Sequence, residues 1–276
     1  MRALMVTMGQ WDMAKYAHTP AFRGGSGEPM VLLNGGINTW TSWQPQLPFL
    51  TERFDVLALT HIGNAGAPPL PDGVFDVAAF VDAAESAMDD SGFHQAHIAG
   101  YSLGGWVAME LARRGRARSV FAFAPAGGWS NEASLQRLKR FFKTVSLSAR
   151  FGKHLVPLVA GLPMARHALL RATMAHGERM TPNDFVRLIH EVSASEVARA
   201  VSHLQFEPLS PYDDPGVPVT IVWPEKDRLL PAEWYGAAWR AAAPFAEWKI
   251  MPGVGHVPTY DEPELVAREI VAATRT

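Results

Sequence analysis

A mainly parallel α/β sheet is the fold the sequence predicts, on three observations. Short apolar runs show no polar alternation, as strands covered on both faces do. Helical stretches separate these runs. Gly-rich loops follow the runs, at the ends where ligands bind in such sheets.

Taken in order, Met5 to Thr7 and Trp11 to Tyr16 read as an opening strand pair, followed by a turn at Gly24-Gly25-Ser26-Gly27. Met30 to Leu33 is the first buried run and ends in Asn34-Gly35-Gly36. Phe54 to Leu59 is the second and leads into the loop Thr60 to Pro69. Asp76 to Asp90 carries Val77, Phe80, Val81, Ala84 and Met88 at helical spacing, with Asp76 placed to cap it. Phe93 to Ala99 is the next strand, Gly105 to Arg114 a helix, and Ser119 to Ala124, Val217 to Trp223 and Lys249 to Met251 the later strands.

The stretch 129–208 breaks this rhythm. It lacks a convincing strand, carries Leu135, Leu138, Phe142 and Val145 at helical spacing, and is punctuated by Pro157, Gly161, Pro163, Gly177 and Pro182. The expected organisation is a core of residues 1–128 and 209–276 with a helical cap, or lid, inserted at 129–208. The insertion holds 11 Lys and Arg against 6 Asp and Glu, leaving 14 against 21 elsewhere, so it is the basic part of the chain.

Composition narrows the function. The chain has 276 residues, 48% of them hydrophobic, enough for one large core. A formal charge of -2 over the whole chain gives no general electrostatic reason to bind nucleic acid or an anionic membrane. Without cysteine there is neither disulfide nor thiolate nucleophile. With no apolar run of about 18 residues and no signal-peptide pattern, a cytoplasmic protein without a membrane span is expected.

Chemistry centres on Gly100-Tyr101-Ser102-Leu103-Gly104. Between a strand and a helix, this pattern forms a sharp elbow that exposes a nucleophilic serine, the glycines allowing backbone to pass close. A serine needs a base to take its proton and an acid to orient that base. Two later loops supply them in order: Pro224-Glu225-Lys226-Asp227-Arg228 after one strand and Gly253-Val254-Gly255-His256-Val257 after the last. From the residues alone, either Glu225 or Asp227 can reach the histidine.

With these motifs in place, the chain resembles the α/β-hydrolase-fold serine hydrolases, of the cap-bearing esterase and haloperoxidase-like kind, from Met30 to Val271. The resemblance implies Ser102 as nucleophile, His256 as base and acid, and Asp227, ahead of Pro231, as orienting acid. It also implies an oxyanion hole from the backbone N-H groups of Leu103 and Gly36. Asn34 stands where similar hydrolases carry histidine, and the loop Thr60 to Gly66 lacks their aspartate and arginine.

The function expected is hydrolysis of a carboxylic ester or lactone through an acyl-serine. Alternatives on the same triad are C-C bond hydrolysis, cofactor-free haloperoxidase or perhydrolase chemistry, and a lyase; a further one is a small-ligand receptor with slow or no turnover. Asn34, Ile37, Tyr101, Trp129 and Val257 are the substrate-pocket candidates. Trp40, Trp43 and Trp106 adjoin the same loops, although core filling is the simpler role for each. His94 and His97, three apart on a strand, point to opposite faces, so no metal is expected there. No dinucleotide or phosphate motif appears, and no cofactor is implied. The partner expected is a small, largely apolar substrate; the sequence leaves oligomeric state open.

Overall fold

The computed structural model describes residues 19–274. The expected opening strands at Met5 to Thr7 and Trp11 to Tyr16 lie outside them.

Seven strands form one sheet: β1 (Ala21–Gly25), β2 (Glu28–Leu33), β3 (Phe54–Leu59), β4 (Ala96–Tyr101), β5 (Ala117–Phe123), β6 (Val219–Pro224) and β7 (Glu247–Met251). Their spatial order is β1-β3-β2-β4-β5-β6-β7, and every pairing is parallel except β1 with β3. Both faces are covered. Val31, Leu33, Ile98, Val120 and Ile221 enter one apolar core, while Met30, Leu32, Ala99, Phe121 and Val222 enter the other. This explains the missing alternation in the sequence, since successive side chains meet different but equally dry layers.

The helices are α1 (Leu47–Leu50), α2 (Val77–Asp90), α3 (Leu103–Arg113), α4 (Glu132–Gly152), α5 (Val156–Val159), α6 (Pro163–Leu170), α7 (Pro182–Ala194), α8 (Val197–Ala200), α9 (Ala232–Ala242) and α10 (Pro263–Ala273). The first core packs against α2, α3 and α9, and the second against α1 and α10. Asp76 caps α2 as its position predicts, its side chain accepting from Ala78 N at 3.0 Å.

Between β5 and β6 the chain leaves the sheet and forms α4 to α8, all helical, over part of the region 129–208. Asn131 starts α4 with a reciprocal cap, accepting from Ser134 N at 2.9 Å while its own N-H reaches Ser134 Oγ. Among the described residues no helix is long and apolar enough to cross a membrane.

Candidate active site

Ser102 stands between β4 and α3 with φ 57° and ψ -120°. Left-handed φ is uncommon for a residue with a Cβ and costs about 1–3 kcal/mol, so surrounding contacts must enforce it. They do. Ser102 N donates to Phe123 O at 2.9 Å, while its carbonyl accepts from Ala126 N at 2.9 Å and Trp106 N at 3.1 Å. A Cβ on Gly100 would overlap the Gly104 carbonyl, and one on Gly104 would overlap the carbonyls of Leu33 and Asn34. The motif's glycines are therefore required by close backbone crossing, as the sequence predicts.

The loops after β6 and β7 bring Asp227 to His256. Asp227 Oδ2 lies 2.7 Å from His256 Nδ1, and both side chains are buried. The other oxygen, Oδ1, accepts from Leu229 N at 2.9 Å and Leu230 N at 2.7 Å, so the carboxylate is clamped on both sides. Glu225 instead accepts from Gly253 N at 2.8 Å and does not meet the histidine. With Nδ1 committed to Asp227, Nε2 is left without a hydrogen-bond partner among the described residues. Ser102 and His256 line the same cavity, about 580 Å³ in volume. They are not hydrogen-bonded to each other, a contact that commonly tightens only when substrate binds.

The backbone on either side of His256 is held by groups the sequence reading passes over. Gly255 N donates to Asp261 Oδ2 at 2.7 Å, and Val257 N donates to Thr173 O, in the helical insertion, at 2.8 Å. Asp261 is fully buried and also accepts from Ala175 N at 2.9 Å and His176 N at 2.7 Å. One carboxylate thus ties the histidine loop to the insertion. Its only trace in the sequence is an acid just ahead of Glu262-Pro263 at a helix start.

Leu103 N lies in the first turn of α3, where N-H groups have no intrahelical acceptor and the helix dipole favours negative charge. The Asn34 to Asn38 loop comes up beside it: a Cβ on Gly36 would lie 3.8 Å from Leu103 Cδ2. Asn34 Nδ2 donates to Gly35 O and to Asn38 O, both at 2.6 Å, and Asn38 N adds a 3.2 Å bond to Gly35 O. Gly36 O accepts from Asn64 Nδ2 at 2.9 Å, and Asn64 Oδ1 accepts from Ser195 Oγ at 2.7 Å. His61, behind this loop, is driven to a pKa of about 4 by burial, with a backbone hydrogen bond at Asn34 opposing the shift. It is neutral near pH 7.

Of the pocket candidates, Ile37, Tyr101 and Val257 line the cavity together with Gly36, Ser102 and His256. Asn34 and Trp129 are not among the residues that line it. Asn34 is fully buried beneath its loop, where its amide is consumed by backbone carbonyls, and Trp129 packs edge-on against Trp106 and Tyr235. Trp40 and Trp43 are likewise buried in the second core. His97 bonds Ser119 Oγ at 2.8 Å and faces Glu28, while His94 is exposed. Among the described residues, no cluster of three or more His, Asp or Glu is placed to hold a metal.

The remaining lining comes mainly from the insertion and is predominantly apolar, including Phe142, Val156, Val159, Leu170, Met174 and Ile189, with Thr144, Ser148 and Thr173 among them. Among the described residues, Tyr101 and His256 are its only titratable side chains. Burial pushes the Tyr101 hydroxyl well above its ordinary range, and that hydroxyl donates to Ser42 Oγ at 2.9 Å.

A model of the alpha/beta hydrolase family matches residues 30–269. The chain belongs to the alpha/beta hydrolase family. Its hydrolase assignment and sheet topology follow together, and the match covers both the elbow and the histidine loop. Among curated members, the chain is 29% identical over 200 residues to the epoxide hydrolase EphH of Mycobacterium tuberculosis, covering 71% of this chain and 93% of that one. Among solved structures, this alpha/beta hydrolase resembles a thermophilic esterase from Thermogutta terrifontis, with TM-score 0.70, 20% identity and 92% of each chain covered. It also resembles the enol-lactonase from Burkholderia xenovorans LB400, with TM-score 0.71, 18% identity, and 93% and 96% of the two chains covered. At such identities the structural likeness speaks to fold.

Proposed function

We propose that this enzyme hydrolyses carboxylic esters with apolar acyl or leaving groups through an acyl-serine intermediate. The observation that carries the reading is the clamped Asp227-His256 pair, whose unpartnered Nε2 belongs to the same apolar cavity as Ser102 on its strained elbow. In the proposed cycle, His256 Nε2 removes the Ser102 proton as Oγ attacks the ester carbonyl. Asp227 holds the imidazole in the tautomer that leaves Nε2 free, and stabilises the imidazolium that forms. The N-H groups of Leu103 and Gly36 receive the developing oxyanion, and the imidazolium protonates the departing alcohol. Water, activated by the same histidine, then releases the acid.

The likeness to an epoxide hydrolase does not redirect this chemistry. Serine attack on an epoxide carbon would leave an ether, which a second attack by water does not cleave; attack on an ester leaves a hydrolysable acyl group. Epoxide opening also needs an acid for the ring oxygen. Among the described residues, the lining offers only Tyr101, committed to Ser42, and His256. Lactones fit the same cycle. In this reading the insertion of 129–208 is a cap that roofs the site, the protein is cytoplasmic, and its partner is a small apolar molecule.

Ser102→Ala is expected to lower turnover of short p-nitrophenyl esters by ~10³-fold or more, with an unchanged circular dichroism spectrum. The parent is expected to be labelled by a fluorophosphonate probe and the variant not. Ester turnover undiminished by the substitution would reject the assignment.

A further inference from the structure

Seven of the eleven large hydrophobic side chains exposed among the described residues fall between Leu147 and Leu169, on the outer side of α4, α5 and α6. Phe151, Leu158 and Met164 are 70%, 78% and 76% exposed. A patch of this kind marks an interaction surface rather than ordinary surface scatter. The segments are two-sided: Val156 and Val159 of α5 line the cavity while Leu158 faces outward. Leu155 and Leu169 line the cavity and are also more than half exposed, so patch and cavity share a wall.

Charge selects the occupant. From residue 133 to residue 177 the chain holds eight Lys and Arg and no Asp or Glu. Lys143, Arg150 and Lys153 flank the apolar patch and are ion-paired to no carboxylate among the described residues. A second copy placed face to face would bring like charges together. An anionic lipid surface instead takes apolar side chains into its acyl boundary and cations at its headgroups.

We propose that the outer face of α4 to α6 docks this enzyme on anionic lipid membranes, presenting the shared wall of its cavity to the acyl layer. Docking is a property of the surface and stands whether or not Ser102 is the nucleophile. Binding is therefore measured with the full-length Ser102→Ala protein, which leaves the vesicles chemically intact. Co-sedimentation with vesicles of equal phosphatidylglycerol and phosphatidylcholine is expected, falling at least tenfold on pure phosphatidylcholine and at high salt. The triple variant Phe151→Asp, Leu158→Asp, Met164→Asp is expected to lose vesicle binding. In the Ser102 background the same triple change should leave turnover of a short water-soluble ester unaltered. The charge reversal Arg150→Glu with Lys153→Glu tests the same face with substitutions at the surface only, and should also reduce binding at least tenfold. Failure of the parent to bind anionic vesicles, or equal binding by the charge-reversed variant, would overturn the proposal. So would a concentration-dependent dimer in sedimentation velocity, abolished by the triple change, without vesicle binding.

Discussion

Asn34 shows how one side chain can set the dipole of the proposed oxyanion hole without touching substrate. Its amide and Asn38 N converge on Gly35 O, and the described chain has no cis peptide, so the Gly36 N-H of that same peptide is fixed on the opposite side. The proposed oxyanion donor is thus aimed by a residue buried beneath it. Asn34→Leu keeps the volume but removes both donors. It is expected to lower kcat by ~10- to 100-fold, below the full cost of losing one oxyanion donor, while leaving KM within about threefold. Parallel loss in KM would assign Asn34 to binding instead. Sequence alone registers Asn34 as a departure from a histidine; the bonds that explain it run to backbone atoms, which carry no sequence signature.

Among the elements, those that form the site from local signals are the legible ones. The β4 elbow, the Asp227 loop and the His256 loop are each written in a few consecutive residues, and the Asp227-His256 hydrogen bond joins two of them. Strand β1 is different. Ala-Phe-Arg-Gly-Gly has neither alternation nor an apolar run, and it becomes a strand through antiparallel pairing with β3, Phe22 stacking on Trp40 and a bidentate Arg23-Asp55 pair. Asp261 is hidden in the same way, since two of the three donors to its carboxylate, Ala175 N and His176 N, come from a distant segment. Asp261→Ala would strand the buried Gly255 N-H and the half-buried Ala175 and His176 N-H groups, and is expected to cost about 3 kcal/mol in urea unfolding. It should also lower kcat by releasing the backbone beside His256. A loss of stability with unchanged kcat would separate the insertion contact from the histidine loop.

At the scale of the molecule, the β-α alternation specifies a parallel sheet but not its order, because each crossover can in principle step either way along the sheet. Buried charge between insertion and core is equally invisible beforehand. Glu191 of α7 is buried, accepts from Thr39 Oγ1 at 3.0 Å and Thr41 Oγ1 at 3.2 Å, and has Arg187 Nε at 3.7 Å. Burial outweighs these partners and raises its pKa to about 7. An unfolded glutamate titrates near ~4.3, so the native state binds the extra proton between the two values. The stability this proton confers is whole below about pH 4 and is lost as pH rises through 7. Glu191→Gln removes the titration. Its stability relative to the parent should therefore rise from about pH 4.5 and level off above pH 7, gaining about 3 kcal/mol by pH 8. Urea midpoints across this range measure it, and a pH-independent difference would contradict the burial argument.

Because α4 to α8 leave from β5 and return to its neighbour β6, they form a cassette whose exchange would leave the strand order intact. A recipient that supplies only splice points would nonetheless carry a His256 loop without its supports. The Thr173 carbonyl that steadies Val257 travels with the cassette, and so do the Ala175 and His176 amides that Asp261 binds. Transplanting the insertion between such proteins thus requires moving the residue 255–261 turn along with it, and under the proposed mechanism the two form one heritable unit of selectivity and proton transfer.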